Sequence, residues 1–171
     1  SDVCSPIYAV EIQTPANGFG LDGLLRARAE VLSGITNGID TKVWNPQRDA
    51  RIPMHFGRSD LSHRSANTAH LRRHFGLDED DGRPLLGVVS RLVWQKGLDI
   101  VAEAAKVFLE LGTQLVVLGA GDKDIERSFS SLARAHRGRF ACAIGYDEDL
   151  AHLIQAGADA LLVPSRFEPC G

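Results

Sequence analysis

Two cations flank a short loop in the middle of the chain and could hold a phosphate group. Arg91 and Lys96 lie within Ser90–Gly97, after an apolar run, and a helical pattern starts near Gly97. Fixed cations beside a helix N-terminus suit the negative charge of a diphosphate. Arginine and lysine also occur as ordinary surface charges that bind no ligand, so this interpretation is the alternative. The position favours the binding interpretation, because open α/β sheets bind ligands outside the carboxyl ends of their strands.

A second loop combines small residues with a carboxylate. Gly119, Gly121 and Asp122 follow another apolar run and resemble the opening of a GxGxxG motif. The third glycine is replaced by Asp124, and no acidic residue lies at the usual offset of about 20 residues. The dinucleotide fingerprint is therefore incomplete. Two interpretations stay open: a tight turn that needs small residues, or a loop that faces a ligand.

Further candidate side chains stand near the ends of apolar segments. Tyr146 could stack on a base or pack at the rim of the domain. Glu168 could bind sugar hydroxyls or stabilise developing positive charge, although a helix N-terminus also favours a carboxylate. Cys170 has no placed histidine base, which favours packing over a nucleophilic role. His70 and His74 have the spacing of a metal chelate but no HExxH pattern, so we predict a solvated helix face and no metal site.

The elements that must position these residues alternate between strand and helix. Short continuous apolar runs indicate strands buried on both faces, and apolar residues at helical spacing separate them. Parallel strands need helical crossovers. We therefore predict a Rossmann-like α/β fold, a parallel sheet with flanking helices. The predicted strands cover residues 85–89, 114–118, 140–144 and 160–163.

The N-terminal third is less regular. Ser5-Pro6 predicts the start of a helix, residues 21–29 a second short helix, and residues 31–35 a strand with a turn at Asn37-Gly38. Residues 41–60 lack periodicity, which is typical of a functional or inter-domain connection. A polar helix over residues 61–75 follows and ends at Gly76.

Composition limits the function classes further. The chain has 171 residues, 44% of them hydrophobic and 24% charged, which is ordinary for about one globular domain. A net charge of -3 gives no global signature of nucleic-acid or anionic-membrane binding. Three cysteines without CxxC spacing favour a reducing compartment over a disulfide framework or a zinc site. No run of about 18 apolar residues occurs, so the sequence predicts no membrane-spanning helix. We expect a cytoplasmic protein, or a protein of the plastid stroma in a plant or alga.

Several phrases of the sequence, in the same order, resemble bacterial glycogen synthases and plant starch synthases. The last phrase, with the sequence PSRFEPCG, is the most specific of them. The similarity runs through almost the whole chain. The phrases are Ser5–Ile12, Gly20–Leu25, Gly34–Asp40, Val89–Leu92 with Gln95–Gly97, and Pro164–Gly171.

The resemblance implies a retaining glucosyltransferase with two Rossmann-like domains, the GT-B fold. Its substrates are ADP-glucose and the nonreducing end of an α-1,4-glucan, and it needs no metal or other cofactor. Arg91 and Lys96 then hold the diphosphate and stabilise the departing ADP, while Tyr146 packs on the adenine. The loop with Gly119, Gly121 and Asp122 lines the nucleotide side, and Glu168, Cys170 and Gly171 lie near the glucosyl group.

The same resemblance predicts an incomplete enzyme. Residues 1–35 correspond to the end of an N-terminal domain, residues 36–60 to the crossing between domains, and residues 61–171 to the first part of the C-terminal domain. The N-terminal Lys-x-Gly-Gly loop and the catalytic His and Asp of that family are absent from this sequence. We therefore expect a fragment truncated at both ends that does not catalyse transfer by itself.

Two alternatives remain at this point. A GT-B glycosyltransferase that uses a UDP-sugar would share the phosphate-binding residues, although the Pro-Cys-Gly after Glu168 favours ADP-glucose. A non-catalytic nucleotide-binding module or an NAD-dependent oxidoreductase would share the α/β fold. The incomplete GxGxxG motif weighs against the redox version.

Overall fold

The structure, a computed structural model, describes residues 2–3, 5–79 and 82–168. These residues form two units: Ser1–Asp40 with Phe167–Gly171, and Thr41–Arg166. Among the described residues, no helix is long and apolar enough to span a bilayer. The boundaries predicted for the family's domains stay predictions.

The first unit contains two short helices and two short strands. Helix α1 (Pro6–Glu11) begins where predicted, because the Ser5 hydroxyl accepts the Tyr8 N–H at 3.4 Å. Strand β1 (Asp2–Val3) pairs in parallel with β2 (Ser33–Gly34), and α2 (Asp22–Ala27) lies between them in the chain. The turn predicted at Asn37-Gly38 is wrong: residues 35–40 have no turn. A hairpin turn needs an antiparallel partner, and β2 pairs in parallel with β1 instead.

The second unit is built on a four-stranded parallel sheet. Its elements alternate as the sequence predicts. The irregular residues 41–60 precede them. The elements are α3 (Arg64–Phe75), β3 (Leu85–Val89), α4 (Leu98–Glu110), β4 (Gln114–Gly119), α5 (Lys123–Ala135), β5 (Phe140–Ile144), α6 (Glu148–Gly157) and β6 (Ala160–Leu161). In the sheet, the strands lie in the order β5-β4-β3-β6.

Helices cover both faces of this sheet, which explains its continuous apolar strands. In β4, Leu115 and Val117 belong to the cluster formed with α4 and α5, whereas Val116 and Leu118 belong to the cluster formed with α3 and α6. Alternate side chains of a strand point to opposite faces, so every residue of β4 is buried. The predicted fold class is thereby confirmed.

Strand β6 is shorter than the predicted 160–163. Among the described strands it pairs with β3 alone, through Leu86 opposite Ala160 and Gly87 opposite Leu161. The Leu162 N–H still donates to the Gly87 carbonyl at 2.9 Å, after which the chain leaves the sheet toward Pro164. A proline has no N–H to continue the ladder, which accounts for the early end.

The irregular residues 41–60 pack on α6, and we call them the connecting segment. The Nδ1–H of His152 on α6 donates to the Asp49 carboxylate at 2.6 Å, and both side chains are buried. The Trp44 ring stacks on the His152 ring with centroids 3.7 Å apart. The Asn67 side chain of α3 bonds to both backbone polar groups of Met54, at 3.0 and 2.8 Å. Specific polar contacts therefore hold a segment that has no regular structure.

Candidate functional site

A cleft of about 300 Å³ opens at the carboxyl ends of β3, β4 and β5. The first turn of α6 forms one wall. Most of the cleft's side chains are apolar or small, and Arg91 carries the only cationic group among its lining residues. These residues are Val89, Ser90, Arg91, Leu118, Gly119, Ala120, Gly145, Tyr146, Asp147 and Ala151. Three predicted site residues, Arg91, Gly119 and Tyr146, therefore meet at one cleft.

The two loops that follow β3 and β4 are joined by their backbones. The Leu92 N–H donates to the Ala120 carbonyl at 2.9 Å, and the Asp122 N–H donates to the Leu92 carbonyl at 2.8 Å. A Cβ on Gly119 would overlap the carbonyl oxygen of Ser90, and one on Gly121 would lie 2.5 Å from the carbonyl oxygen of Leu92. Neither glycine has a positive φ. The backbones of the two loops approach so closely that both positions require glycine. Contact of these glycines with a ligand stays a prediction.

Arg91 carries a cationic group that is open to a ligand. Its side chain is exposed, lines the cleft and makes no ion pair with any described residue. An unpaired guanidinium presents a planar fork of donors that matches the oxygens of a phosphate. The cleft therefore combines an apolar interior with the guanidinium of Arg91 and the carboxylate of Asp147 at its rim.

Lys96 stands at the other end of the same loop. It closes a short 3₁₀ turn, Trp94–Lys96, and is half-buried outside the lining of the cleft. Gly97 follows with φ +68° and begins α4, and a Cβ there would overlap the carbonyl oxygen of Pro164. The left-handed φ and the close contact both call for glycine. Lys96 is thus fixed at the N-terminus of a thirteen-residue helix.

Asp122 is the N-cap of α5. Its carboxylate accepts the Asp124 N–H at 2.9 Å, and Asp122 is not among the residues that line the cleft. Glu126, which no motif singled out, accepts the Gly121 N–H at 2.9 Å and the Lys123 ammonium at 2.6 Å. The Gly121 hydrogen bond, followed by that of Lys123, holds the pKa of Glu126 below its ordinary value. Both carboxylates stabilise the loop after β4.

Replacing Asp122 should therefore lower stability. We expect Asp122→Ala to cost about 1 kcal/mol of unfolding free energy, the usual effect of losing an N-cap. Urea denaturation, monitored by circular dichroism, measures this loss of unfolding free energy. Asp122→Asn is the matched control, because an amide oxygen also caps, and it should stay near the wild type. Equal losses in both variants would contradict the capping role.

Tyr146 lies at the open edge of the cleft. Its side chain is 89% exposed, and the next residue, Asp147, caps α6 by accepting the Leu150 N–H at 2.9 Å. The cap fixes the backbone of the loop, while the phenol ring stays accessible. An exposed aromatic ring beside an apolar cleft can stack on a planar base. This contact stays a prediction.

The remaining predicted residues lie elsewhere. Glu168 is half-buried and belongs to the first unit, and its catalytic role stays a prediction. Cys170 and Gly171 lie outside the described residues. His70 and His74 lie on α3, and the described part of the chain holds no cluster of three or more metal-ligating side chains.

Comparison with known proteins places this geometry in a family. Residues 71–171 match the family described as "Glycosyl transferases group 1". The chain belongs to the group 1 glycosyl transferases. The match covers the sheet, the cleft and the segment after β6, so the family assignment rests on the region that carries the candidate site.

Relatives of this glycosyl transferase chain are glycogen synthases. Glycogen synthase 2 of Bradyrhizobium diazoefficiens is 60% identical over 98% of the chain and 35% of its own length. Glycogen synthase of Rhodopseudomonas palustris strain BisB18 is 61% identical over 98% of the chain and 34% of its own length. The chain thus spans about a third of the curated relatives it matches, and the predicted resemblance is confirmed.

A solved structure shows the same fold. The catalytic domain of starch synthase IV from Arabidopsis thaliana, bound to ADP and acarbose, matches with a TM-score of 0.92 and 38% identity. The match covers 99% of this glycosyl transferase chain and 35% of the other. The expected Rossmann-like part of a GT-B fold is therefore confirmed.

Proposed function

We propose that the chain forms the nucleotide-binding side of a glucosyltransferase of the glycogen and starch synthase type. Its donor is ADP-glucose, its acceptor is the nonreducing end of an α-1,4-glucan, and the transfer retains the anomeric configuration. The observation that carries the proposal is the apolar cleft with an unpaired Arg91 at its rim. The reaction takes place in the cytoplasm, or in the plastid stroma of a plant or alga.

The cleft suits the two chemical parts of a nucleoside diphosphate. Its apolar walls, from Val89, Leu118 and Ala151, exclude water from the faces of a planar base. The exposed Tyr146 ring adds a stacking surface at the edge. Arg91 lies at the same cleft and pairs with the phosphates. This combination favours a nucleotide over an isolated sugar or a free phosphate.

The cations also assist the chemical step. When the bond between glucose C1 and the diphosphate oxygen breaks, the electron pair stays on ADP, and Arg91 and Lys96 stabilise that negative charge. The acceptor hydroxyl oxygen bonds to C1, and its proton passes to a phosphate oxygen of the departing ADP. The proposal also keeps what the resemblance implies at the glucosyl group, near which Glu168, Cys170 and Gly171 lie. The proposal includes no metal or other cofactor, because these two cations supply the positive charge.

Two comparisons support the choice of substrates. The similar starch synthase IV structure holds ADP and acarbose, and two similar glycogen synthases are about 60% identical to this chain. Since the chain spans about a third of those proteins, we expect nucleotide binding without turnover. Most of the rate acceleration comes from the positioning of both substrates and from the groups of the other domain.

Calorimetric titration tests the proposal directly. We expect the chain to bind ADP and ADP-glucose, with or without a chelator, and to prefer them over UDP, UDP-glucose and NAD. Arg91→Ala and Lys96→Ala should each weaken ADP binding about tenfold, because each removes one charge-assisted contact. Tyr146→Ala should weaken ADP more than it weakens inorganic pyrophosphate.

Matched controls lie on the helices. Arg127 on α5 pairs with Asp124, and Lys106 on α4 lies 3.7 Å from Glu110, so both are ordinary surface cations. Arg127→Ala and Lys106→Ala should leave ADP binding unchanged. A preference for UDP would indicate a UDP-sugar transferase, and a preference for NAD would indicate a redox module. No nucleotide binding by a folded chain would overturn the proposal for this chain.

A further inference from the structure

One cluster outside the cleft fixes the turn that carries Lys96. The Arg166 guanidinium donates through Nη1 to the Trp94 carbonyl at 2.7 Å and binds both Asp99 oxygens, at 2.6 and 2.8 Å. The same guanidinium lies 4.5 Å from the centre of the Trp94 ring. We call Trp94, Asp99 and Arg166 the arginine clamp. It joins the segment after β6 to the start of α4.

The backbone reinforces this connection. The Arg166 N–H donates to the Gln95 carbonyl at 2.9 Å, and Pro164 contacts Gly97 so closely that a Cβ would overlap its carbonyl oxygen. Contacts therefore reach the residues before and after Lys96. Within the turn, the Lys96 N–H donates to the Val93 carbonyl and the Gly97 N–H donates to the Trp94 carbonyl, each at 3.0 Å.

The charges explain why Arg166 is not simply a third phosphate ligand. Asp99 lies in the first turn of α4 and compensates the guanidinium through a bidentate pair. The hydrogen bonds from Arg166 hold the pKa of Asp99 below its ordinary value, so this carboxylate is ionised at neutral pH. Both Nη atoms of Arg166 are engaged. An anion would have to displace Asp99 to use this arginine fully.

We propose that Arg166 and Asp99 are positioning residues that set where the Lys96 ammonium stands relative to the bound diphosphate. This inference rests on the proposed function. Arg166 acts through Lys96, whereas Arg91 contacts the ligand. The planar fork of arginine is needed, because it holds a carboxylate and a carbonyl in fixed directions, which a lysine ammonium does not do.

Removing the carboxylate distinguishes positioning from direct binding. If Arg166 were a phosphate ligand, Asp99→Asn would free it and tighten ADP binding. In the clamp, Asp99→Asn loosens the turn, and we expect it to weaken ADP binding about tenfold, as Arg166→Ala does. Arg166→Lys should recover only part of that loss. Arg127→Ala serves as the control, because it removes an arginine that pairs with an aspartate within α5, away from this turn.

A double-variant cycle identifies the residue through which the clamp acts. In a Lys96→Ala background, Arg166→Ala should change ADP affinity less than twofold, because the group that it positions is already gone. Circular dichroism and thermal unfolding show whether each variant is folded. Tighter ADP binding by Asp99→Asn, or a full Arg166→Ala effect without Lys96, would overturn the inference.

Hydrogen exchange separates this inference from the proposed function. Without any nucleotide, Arg166→Ala should speed exchange of the Lys96 and Gly97 amides, while amides of β4 stay protected. Failure of the wild-type chain to bind ADP would overturn the proposed function and the binding role of the clamp. Unchanged exchange at both turn amides would show that Arg166 does not fix the turn, whatever the titrations give.

Discussion

Gly119→Ala should destabilise the second unit by roughly 3 kcal/mol, at the upper end of overpacking effects. The new Cβ would overlap the Ser90 carbonyl oxygen and lie 3.1 Å from Leu92 Cδ2. A carbonyl oxygen in the backbone of the neighbouring loop has no rotamer to move into. The loops after β3 and β4 must therefore separate, and the hydrogen bond from Leu92 to Ala120 is lost or lengthened.

Urea denaturation measures this loss, and Gly112→Ala is the matched control. Gly112 has φ +84° but nothing within 4 Å of its missing Cβ, so the substitution adds backbone strain without overlap. We expect it to cost about 1 kcal/mol. A Gly119→Ala variant as stable as Gly112→Ala would show that the two loops can move apart cheaply. ADP titration of Gly119→Ala, if it folds, should show weakened binding because the cleft wall has shifted.

The sequence predicts the sheet well because its strands lie between two layers of helices. Burial on both faces makes β3, β4 and β5 continuous apolar runs, which few other elements resemble. Within the part of the chain that the structure describes, β6 has a partner strand on one side, and Pro164 follows it, so the apolar run is longer than the strand. The turn at Asn37-Gly38 fails for a related reason, because a dipeptide preference does not reveal whether a strand has an antiparallel partner.

The candidate site is predicted to the extent that it depends on local sequence. Arg91 and Tyr146 follow strands whose carboxyl ends meet at one edge, so topology alone brings them to the cleft. The contacts that support the site join distant residues instead. Arg166 and Asp99 are 67 residues apart, and Asp49 and His152 are 103 residues apart. No periodicity or short motif encodes such a pair, which explains why neither is predicted.

Asp49→Ala should destabilise the second unit by roughly 3 kcal/mol, because it leaves a buried partner unpaired. Nε2 of His152 already has no hydrogen-bond partner among the described residues, so losing Asp49 leaves both ring nitrogens without a hydrogen-bond partner. The carboxylate also accepts the Arg51 N–H at 2.9 Å within the connecting segment. We therefore expect this segment to detach from α6 more readily.

The destabilisation caused by Asp49→Ala should become smaller as the pH falls. Burial alone would raise the pKa of Asp49, but the hydrogen bonds from His152 and Arg51 outweigh it and hold that pKa below 3.8. A lowered pKa means that the folded state binds this proton less readily than the unfolded chain. The stabilisation is then complete above about pH 4 and is lost as the pH falls below 3.8 through the folded-state pKa.

Asp149→Ala is the matched control for this prediction. Asp149 also pairs with the connecting segment, through Arg51 Nε at 2.8 Å, but its side chain is 80% exposed. Water replaces the lost contact there, so we expect a change below about 0.5 kcal/mol. Denaturation of both variants and the wild type from about pH 7 to about pH 3 measures the difference. If the difference in unfolding free energy between Asp49→Ala and the wild type stayed constant down to about pH 3, packing and not the carboxylate charge would hold His152. A difference in unfolding free energy that shrinks in this range would show that the hydrogen bond between His152 and the Asp49 carboxylate attaches the connecting segment to α6.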